Sequence, residues 1–289
     1  MATLDLQLPH VRLTALTWGP ADGPLALLLH GFPDTAHTWR HLGPALAEDG
    51  WRVVAPFTRG YAPSAVPDDR RYDIGALMAD AVAVHEHLGG GTEAVLVGHD
   101  WGAETANGLA AHRDSPYRRV VSMAVPPVPA IRASLSPRMV PAQLRRSWYI
   151  GFNQLPVLPE RSTDRLVAKL WRDWSPGYDA TVDLAHVHEA LADPAHRSAA
   201  FGYYRSAARP FRVPREYRRW QAALTRSPVV PMLYLHGRDD GCMGVELAAR
   251  TGETLPAGSV VHVVEDAGHF LQLEQPDQVG GLVRDFLCR

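Results

Sequence analysis

Lysine is almost missing from this chain: Lys169 is the only one, and arginine supplies the rest of its 29 basic side chains. Bases and acids nearly cancel, 29 against 31, for a formal net charge of -2, and no long block of like charge occurs. A nucleic acid is therefore not an expected partner. Cysteine is also scarce. Cys242 and Cys288 are too few for a disulfide framework and lie in no Cys-x-x-Cys spacing, which fits a reducing, cytoplasmic setting and offers no thiolate metal site. No apolar run reaches the length of a membrane span, and Met1–His10 lacks a basic stretch followed by an apolar core, so neither a membrane anchor nor a secretory leader is expected.

The 289 residues, 46% hydrophobic and 21% charged, have the balance of a globular protein of one long domain or two shorter ones. Short continuous apolar runs stand at Leu25–Leu29, Val53–Pro56, Ala94–Val97, Val120–Ala124, Val229–Leu235 and Val260–Val264. Strands buried on both faces read this way, which predicts a mostly parallel sheet. Helical spacings lie between and after them, as in Ile74, Leu77, Met78, Ala81 and Leu88, or Val279, Leu282, Val283, Phe286 and Leu287. The fold class expected is α/β, with helices on both faces of the sheet. From Pro126 to Trp220 no strand-like run occurs, and helical patterns rich in Trp and Tyr take over. A helical lid over 127–220 is expected, inserted between two parts of a core domain, 1–126 and 221–289. Gly89-Gly90-Gly91 precedes a strand rather than a helix and reads as a turn, not a phosphate cradle.

The run Ala94–Val97 leads into Gly98-His99-Asp100-Trp101-Gly102 and then a helical pattern. This is the strand–turn–helix setting of a nucleophile elbow, Gly-x-Ser-x-Gly, with Asp100 in place of serine. The glycines suit a sharp turn in which neighbouring backbones come close. His30-Gly31-Phe32-Pro33 follows the run Leu25–Leu29, where such a fold supplies a second backbone N–H for an oxyanion hole. Downstream, one run ends in His236-Gly237-Arg238-Asp239-Asp240 and another in Glu265-Asp266-Ala267-Gly268-His269. The chain order is nucleophile, acid, histidine, with Asp239 and Asp240 both open as the acid.

On these motifs the chain resembles the α/β-hydrolase family, and within it the soluble epoxide hydrolases. The likeness spans nearly the whole chain, with 1–126 and 221–289 resembling the sheet core and 127–220 the lid. It implies Asp240 as the acid, three residues after the glycine that ends its strand, and a cis peptide before Pro33. It also implies no cofactor and no metal.

An aspartate nucleophile points away from ester hydrolysis, because its attack on an ester would give an anhydride. An electrophilic sp³ carbon suits it, giving an alkyl–enzyme ester that splits one displacement into two easier steps. His269 would activate water against that ester, Asp240 would orient the imidazole, and the N–H groups of Phe32 and Trp101 would hold the oxyanion. Epoxide hydrolases of this kind carry two lid tyrosines on the ring oxygen. Tyr149-Ile150-Gly151-Phe152-Asn153-Gln154-Leu155-Pro156, with Glu160, resembles the first lid motif, and Gly202-Tyr203-Tyr204-Arg205-Ser206 the second. Tyr149 and Tyr204 are the matching tyrosines; each alone reads as a buried aromatic with a satisfied hydroxyl, and the two together, in a lid over an aspartate elbow, read as the catalytic pair. Gly202 and Ser206 replace asparagines, Tyr203 a tryptophan, and Asn153 an aromatic. Phe32, Pro33, Trp101, Tyr149 and Tyr204 are the expected substrate-binding set, and the lid aromatics suggest a lipophilic epoxide as the small-molecule partner. Oligomeric state is not legible.

Two other functions stay open. Haloalkane dehalogenases share the aspartate elbow and its tryptophan, but their second halide donor is often an asparagine where Phe32 stands here, and fluoroacetate dehalogenases usually place an arginine at the position of Trp101. A non-hydrolytic enzyme or small-molecule binding protein on the same fold is the other. His85-Glu86-His87 and His186-Val187-His188-Glu189 lack the His-Glu-x-x-His spacing and read as solvated helix residues. His99 is expected to be a packed neighbour, His30 a support for the oxyanion loop, and Asp34 and Glu104 polar-face or capping residues. Cys242 is assigned no role.

Overall fold

In the computed structural model, which describes residues 1–288, eight strands form one sheet: β1 (Ala2–Gln7), β2 (Arg12–Trp18), β3 (Leu25–Leu29), β4 (Arg52–Pro56), β5 (Val95–His99), β6 (Arg119–Met123), β7 (Met232–Gly237) and β8 (Val260–Val264). Their order is β1-β2-β4-β3-β5-β6-β7-β8, with β2 antiparallel to both neighbours and every later pair parallel. The expected core stretch 221–289 ends on Arg289, which lies outside the described residues.

The inner strands are apolar because both faces are covered. Leu25–Leu29 is buried throughout, as are Val95–Val97, and β3 runs in register with β5 from Ala26↔Val95 to Leu29↔Gly98. From β3 the chain crosses to β4 through helix Leu42–Glu48, then reverses past β3 to β5 through helix Ile74–Leu88. Parallel crossovers are right-handed, so the reversal places these two helices on opposite faces of the sheet. It also opens a crevice between the carboxyl ends of β3 and β5, the switch point at which such sheets bind ligands.

Two strands escaped the sequence reading. β1 and β2 lie at the antiparallel edge, where β1 is mostly exposed and reads as Ala-Thr-Leu-Asp-Leu-Gln rather than as a continuous apolar run. The run read as Val229–Leu235 enters the sheet only at Met232. Val229 and Val230 donate to the Ala110 carbonyl instead, and Pro231 has no N–H for the ladder.

Between β6 and β7 every regular element among the described residues is helical, from Val128–Ser134 through Trp148–Phe152, Thr163–Trp174, Thr181–Ala190 and Pro194–Ala207 to Arg215–Gln221. Gly89 and Gly91 form a left-handed turn before β5. Among the described residues no helix is long and apolar enough to cross a membrane.

Candidate active site

Asp100 stands at the tip of the turn between β5 and helix Trp101–Ala111, with φ 54° and ψ -115°, a backbone region that non-glycine residues rarely occupy. The glycines on either side of it are demanded by space. A Cβ on Gly98 would lie 2.1 Å from the Gly102 carbonyl oxygen, and one on Gly102 would lie 2.0 Å from that of Leu29. The turn therefore closes only with hydrogen at both positions, and it projects the Asp100 carboxylate into the crevice beside β3.

There the loop after β3 meets it. The Phe32 N–H donates to Asp100 Oδ1 at 2.8 Å, and the Phe32–Pro33 peptide is cis. His30 fixes this loop from below: its Nδ1–H donates to the Gly31 carbonyl at 2.9 Å, and Nε2 accepts the Thr58 N–H at 3.0 Å. Burial pushes its pKa down to about 4, so the ring is a neutral strut with a set tautomer. The Trp101 N–H makes no such bond to the carboxylate among the described residues.

The loops after β7 and β8 bring the other two members. His269 Nδ1 donates to Asp240 Oδ2 at 2.9 Å, and its Nε2 lies 3.5 Å from Asp100 Oδ2. Asp240 is held by its own turn, with Oδ1 accepting the N–H groups of Cys242 at 2.7 Å and Met243 at 2.9 Å. Asp239 is exposed and does not reach the imidazole. Burial alone would depress the His269 imidazolium, but the Asp240 and Asp100 carboxylates outweigh it and push its pKa up to about 10. Burial would likewise raise both carboxyls, and the facing imidazolium instead holds them below the usual carboxylate range. His99 packs behind, its Nε2–H donating to the His269 carbonyl at 2.8 Å.

The helical segment closes the site from above. Tyr204 packs edge-on to both Phe32 and Trp101, with ring centroids 5.2 and 5.0 Å apart, and Tyr149 meets Tyr204 edge-on at 5.6 Å. Burial pushes both phenols well above their ordinary pKa, so both are protonated at neutral pH. Arg205 ties the two tyrosine-bearing helices together: it pairs with Glu160 at 2.6 Å and donates to the carbonyls of Asn153 at 3.1 Å and Leu155 at 2.8 Å. The Pro33 carbonyl accepts the Trp171 Nε1–H at 2.7 Å, joining the segment to the β3 loop.

Two assignments from the sequence change. Cys242 is inside the site, its thiol 3.3 Å from the Tyr149 hydroxyl, because the turn that bonds Asp240 carries it there; the signal available was its place two residues after the acid. Asp34 is not on a polar face. It is buried, with Oδ1 capped by the Thr35 N–H and Oδ2 unpartnered, and burial followed by the nearby Asp183 carboxylate pushes its pKa up to about 8. Glu104 keeps a place compatible with a polar-face or capping residue, half-buried in the first turn of helix Trp101–Ala111, and desolvation pushes its carboxyl up to about 7.

A carboxylate, an imidazole on a second carboxylate, a backbone N–H donor and two phenols thus converge at one switch point. A family model described as alpha/beta hydrolase fold matches residues 24–276. The chain belongs to the α/β-hydrolase fold family. This hydrolase is 29% identical over 286 residues to AB hydrolase superfamily protein YfhM of Bacillus subtilis, covering 96% of this chain and 94% of that one. It is 31% identical over 319 residues to Epoxide hydrolase A of Mycobacterium tuberculosis, again with 96% and 94% covered. Among solved structures, Epoxide Hydrolase A from Mycobacterium thermoresistibile superposes with a TM-score of 0.77 at 26% identity, covering 99% of this chain and 98% of that one.

Proposed function

We propose that this hydrolase opens an epoxide to a vicinal diol through an ester on Asp100, with residues 127–220 acting as the lid. The observation that carries the reading is the tip of the elbow: a carboxylate, not a hydroxyl, faces a histidine Nε2 at 3.5 Å beneath two phenols. An Asp100 oxygen attacks a ring carbon, the carbon–oxygen bond of the ring breaks, and the ring oxygen takes a proton from Tyr149 or Tyr204. Esterification removes the Asp100 charge that helped hold the His269 proton. The proton that His269 then sheds restores the phenol and leaves a neutral imidazole.

That imidazole takes a proton from water, and the resulting hydroxide attacks the ester carbonyl. The N–H groups of Phe32 and Trp101 hold the oxyanion, a contribution whose loss typically costs about 10²–10³ in rate. Collapse expels the alkoxide, which takes the proton of the newly formed Asp100 carboxylic acid. The diol leaves, Asp100 is again a carboxylate and His269 again carries its proton. The relatives named as epoxide hydrolases support the same reading.

Intact-protein mass spectrometry of His269→Gln after exposure to epoxides and haloalkanes tests it. The expected result is a gain of one whole epoxide mass that disappears when Asp100 is also replaced. A gain equal to a haloalkane minus its hydrogen halide would make dehalogenation the reaction instead.

A further inference from the structure

We propose that a cleft on the outer side of helix Pro194–Ala207, the helix that carries Tyr204, binds a small phosphate monoester. The cleft has a volume of about 380 Å³, the size of a small-molecule site. Five arginines line it and no Asp or Glu does. Arg70 and Arg71 come from the loop between β4 and helix Ile74–Leu88, and Arg205, Arg209 and Arg212 from the end of helix Pro194–Ala207 and the turn after it. Elsewhere on the surface arginines are neutralised, as Arg238 is by Glu265 at 2.6 Å and Arg284 by Asp49 at 2.5 Å. A cleft walled by charge of one sign concentrates ions of the other.

Two of the five are spent within the protein. Arg71 pairs with Asp73 at 2.7 Å and donates to the Arg212 carbonyl at 2.9 Å, while Arg205 pairs with Glu160. Among the described residues Arg70, Arg209 and Arg212 pair with no carboxylate, and Arg209 is steadied by one bond from Nη1 to the Arg205 carbonyl at 2.9 Å. The floor is one face of the helix, on which Ala195, Ser198, Ala199, Gly202 and Ser206 recur at helical spacing. Gly202 and Ser206 are the positions where the lid motif carries asparagines, so two of this chain's departures from it fall together on the floor. A Cβ on Gly202 would lie 2.4 Å from the Tyr72 ring, which forms one wall. Tyr204 is two residues from both and packs on Phe32 and Trp101, so the cleft and the active site lie on opposite sides of the helix.

The donors select the ligand. A guanidinium offers paired N–H groups that match two oxygens of a phosphate, and three unneutralised ones answer a dianion better than a carboxylate's single charge. Ser198 and Ser206 add hydroxyls that can donate to a further oxygen. Val66, Ala199 and the Tyr72 ring make an apolar wall for the ester group, which a bare anion would leave unused. A concave cleft in a chain of net charge -2 suits a small molecule rather than a nucleic acid, which needs a long basic face. The ligand would touch the loop after β4 and the helical segment at once, and so would hold the two together.

Titration calorimetry with phenyl phosphate, inorganic phosphate and benzoate tests this, at fixed ionic strength and at pH 8, where the phosphates are dianions. The expected result is one site per chain, with phenyl phosphate bound about tenfold or more tightly than either other probe, and a Tm that rises with its concentration. Arg209→Gln combined with Arg212→Gln should weaken phenyl phosphate about tenfold or more, through the loss of hydrogen bonds to a charged group. Ser206→Glu, which sets a carboxylate on the floor, should do the same. None of the three positions is buried, so the unliganded Tm of each variant should match that of wild type. No saturable binding of phenyl phosphate by wild type overturns the inference. Binding that both variants leave undiminished overturns it too, by placing the anion elsewhere, and equal binding of all three probes reduces it to charge screening. Tighter binding of phosphatidylglycerol vesicles or of a single-stranded RNA oligonucleotide, lost in the same variants, would make the cleft a docking surface for a macromolecule instead.

Discussion

Two carboxylates face one imidazole, Asp240 Oδ2 at 2.9 Å from Nδ1 of His269 and Asp100 Oδ2 at 3.5 Å from Nε2. Each charge on the pair stabilises the proton between them, so the titration of His269 reports on Asp100. Asp100→Asn removes one of the two charges while keeping the shape. The His269 midpoint should then fall from about 10 by about one to three pH units, as read by NMR titration of its ring protons. An unchanged midpoint would mean that Asp100 does not sense the imidazole. The sign for stability follows. A histidine raised in the folded state contributes stability that is complete below its unfolded value and is lost as pH rises toward about 10. Asp100→Asn should flatten that loss in melts taken across the window. These residues were legible because each follows a strand end in the order of the elbow fold. Cys242 was not, because its place depends on what faces it: the turn that bonds Asp240 carries it in.

Turns and strands differ in how openly the sequence declares them. β3 was readable to the residue, since a strand with both faces covered must be apolar throughout, and β8, a half-buried strand at the far edge, was readable from its valine run. β1 and β2 carry no such constraint at the edge, and the start of β7 was set by Pro231, a matter of one missing N–H. The elbow shows the opposite case, where geometry forces identity. Gly98→Ala pushes a methyl group into the Gly102 carbonyl at the start of helix Trp101–Ala111, and Gly102→Ala pushes one into the Leu29 carbonyl at the end of β3, so that relief requires the helix to shift from the sheet. Each should cost about 3 kcal/mol or more in chemical denaturation, at or above the upper end of ordinary overpacking. Gly281 is the control. It lies in helix Pro276–Leu287 with open space around its would-be Cβ, and Gly281→Ala should stabilise by about 0.5–1 kcal/mol. Similar losses at all three sites would show that the elbow glycines are not tied to close approach.

The site lies at the seam between the sheet and the helical segment, so the behaviour of the whole molecule depends on whether that seam opens as a unit. At one end it is woven by backbone bonds. The Trp174 carbonyl accepts the N–H of both His269 and Gly241, the Phe270 N–H donates to Ser175 Oγ, and the Trp171 ring stacks on Phe270 at 3.5 Å. At the other end the links include the Ala62 N–H to the Ala190 carbonyl at 3.3 Å, Tyr203 to the Arg59 carbonyl, and the ion pair of Arg40 with Asp183 at 2.6 Å. The sequence showed where the helices fall but not this weave, which joins residues about a hundred positions apart through main-chain atoms that carry no sequence signature. A segment fixed in this way has no separate core to melt around. Calorimetry should therefore give one transition, coincident by near- and far-ultraviolet circular dichroism. Trp171→Phe keeps the stack on Phe270 but strips the donor from the buried Pro33 carbonyl, and should lower stability by about 1–3 kcal/mol without splitting that transition. A split into two transitions, in wild type or variant, would show that the helical segment folds as a unit of its own. The triad loops would then have to be completed by docking rather than by the fold of the sheet.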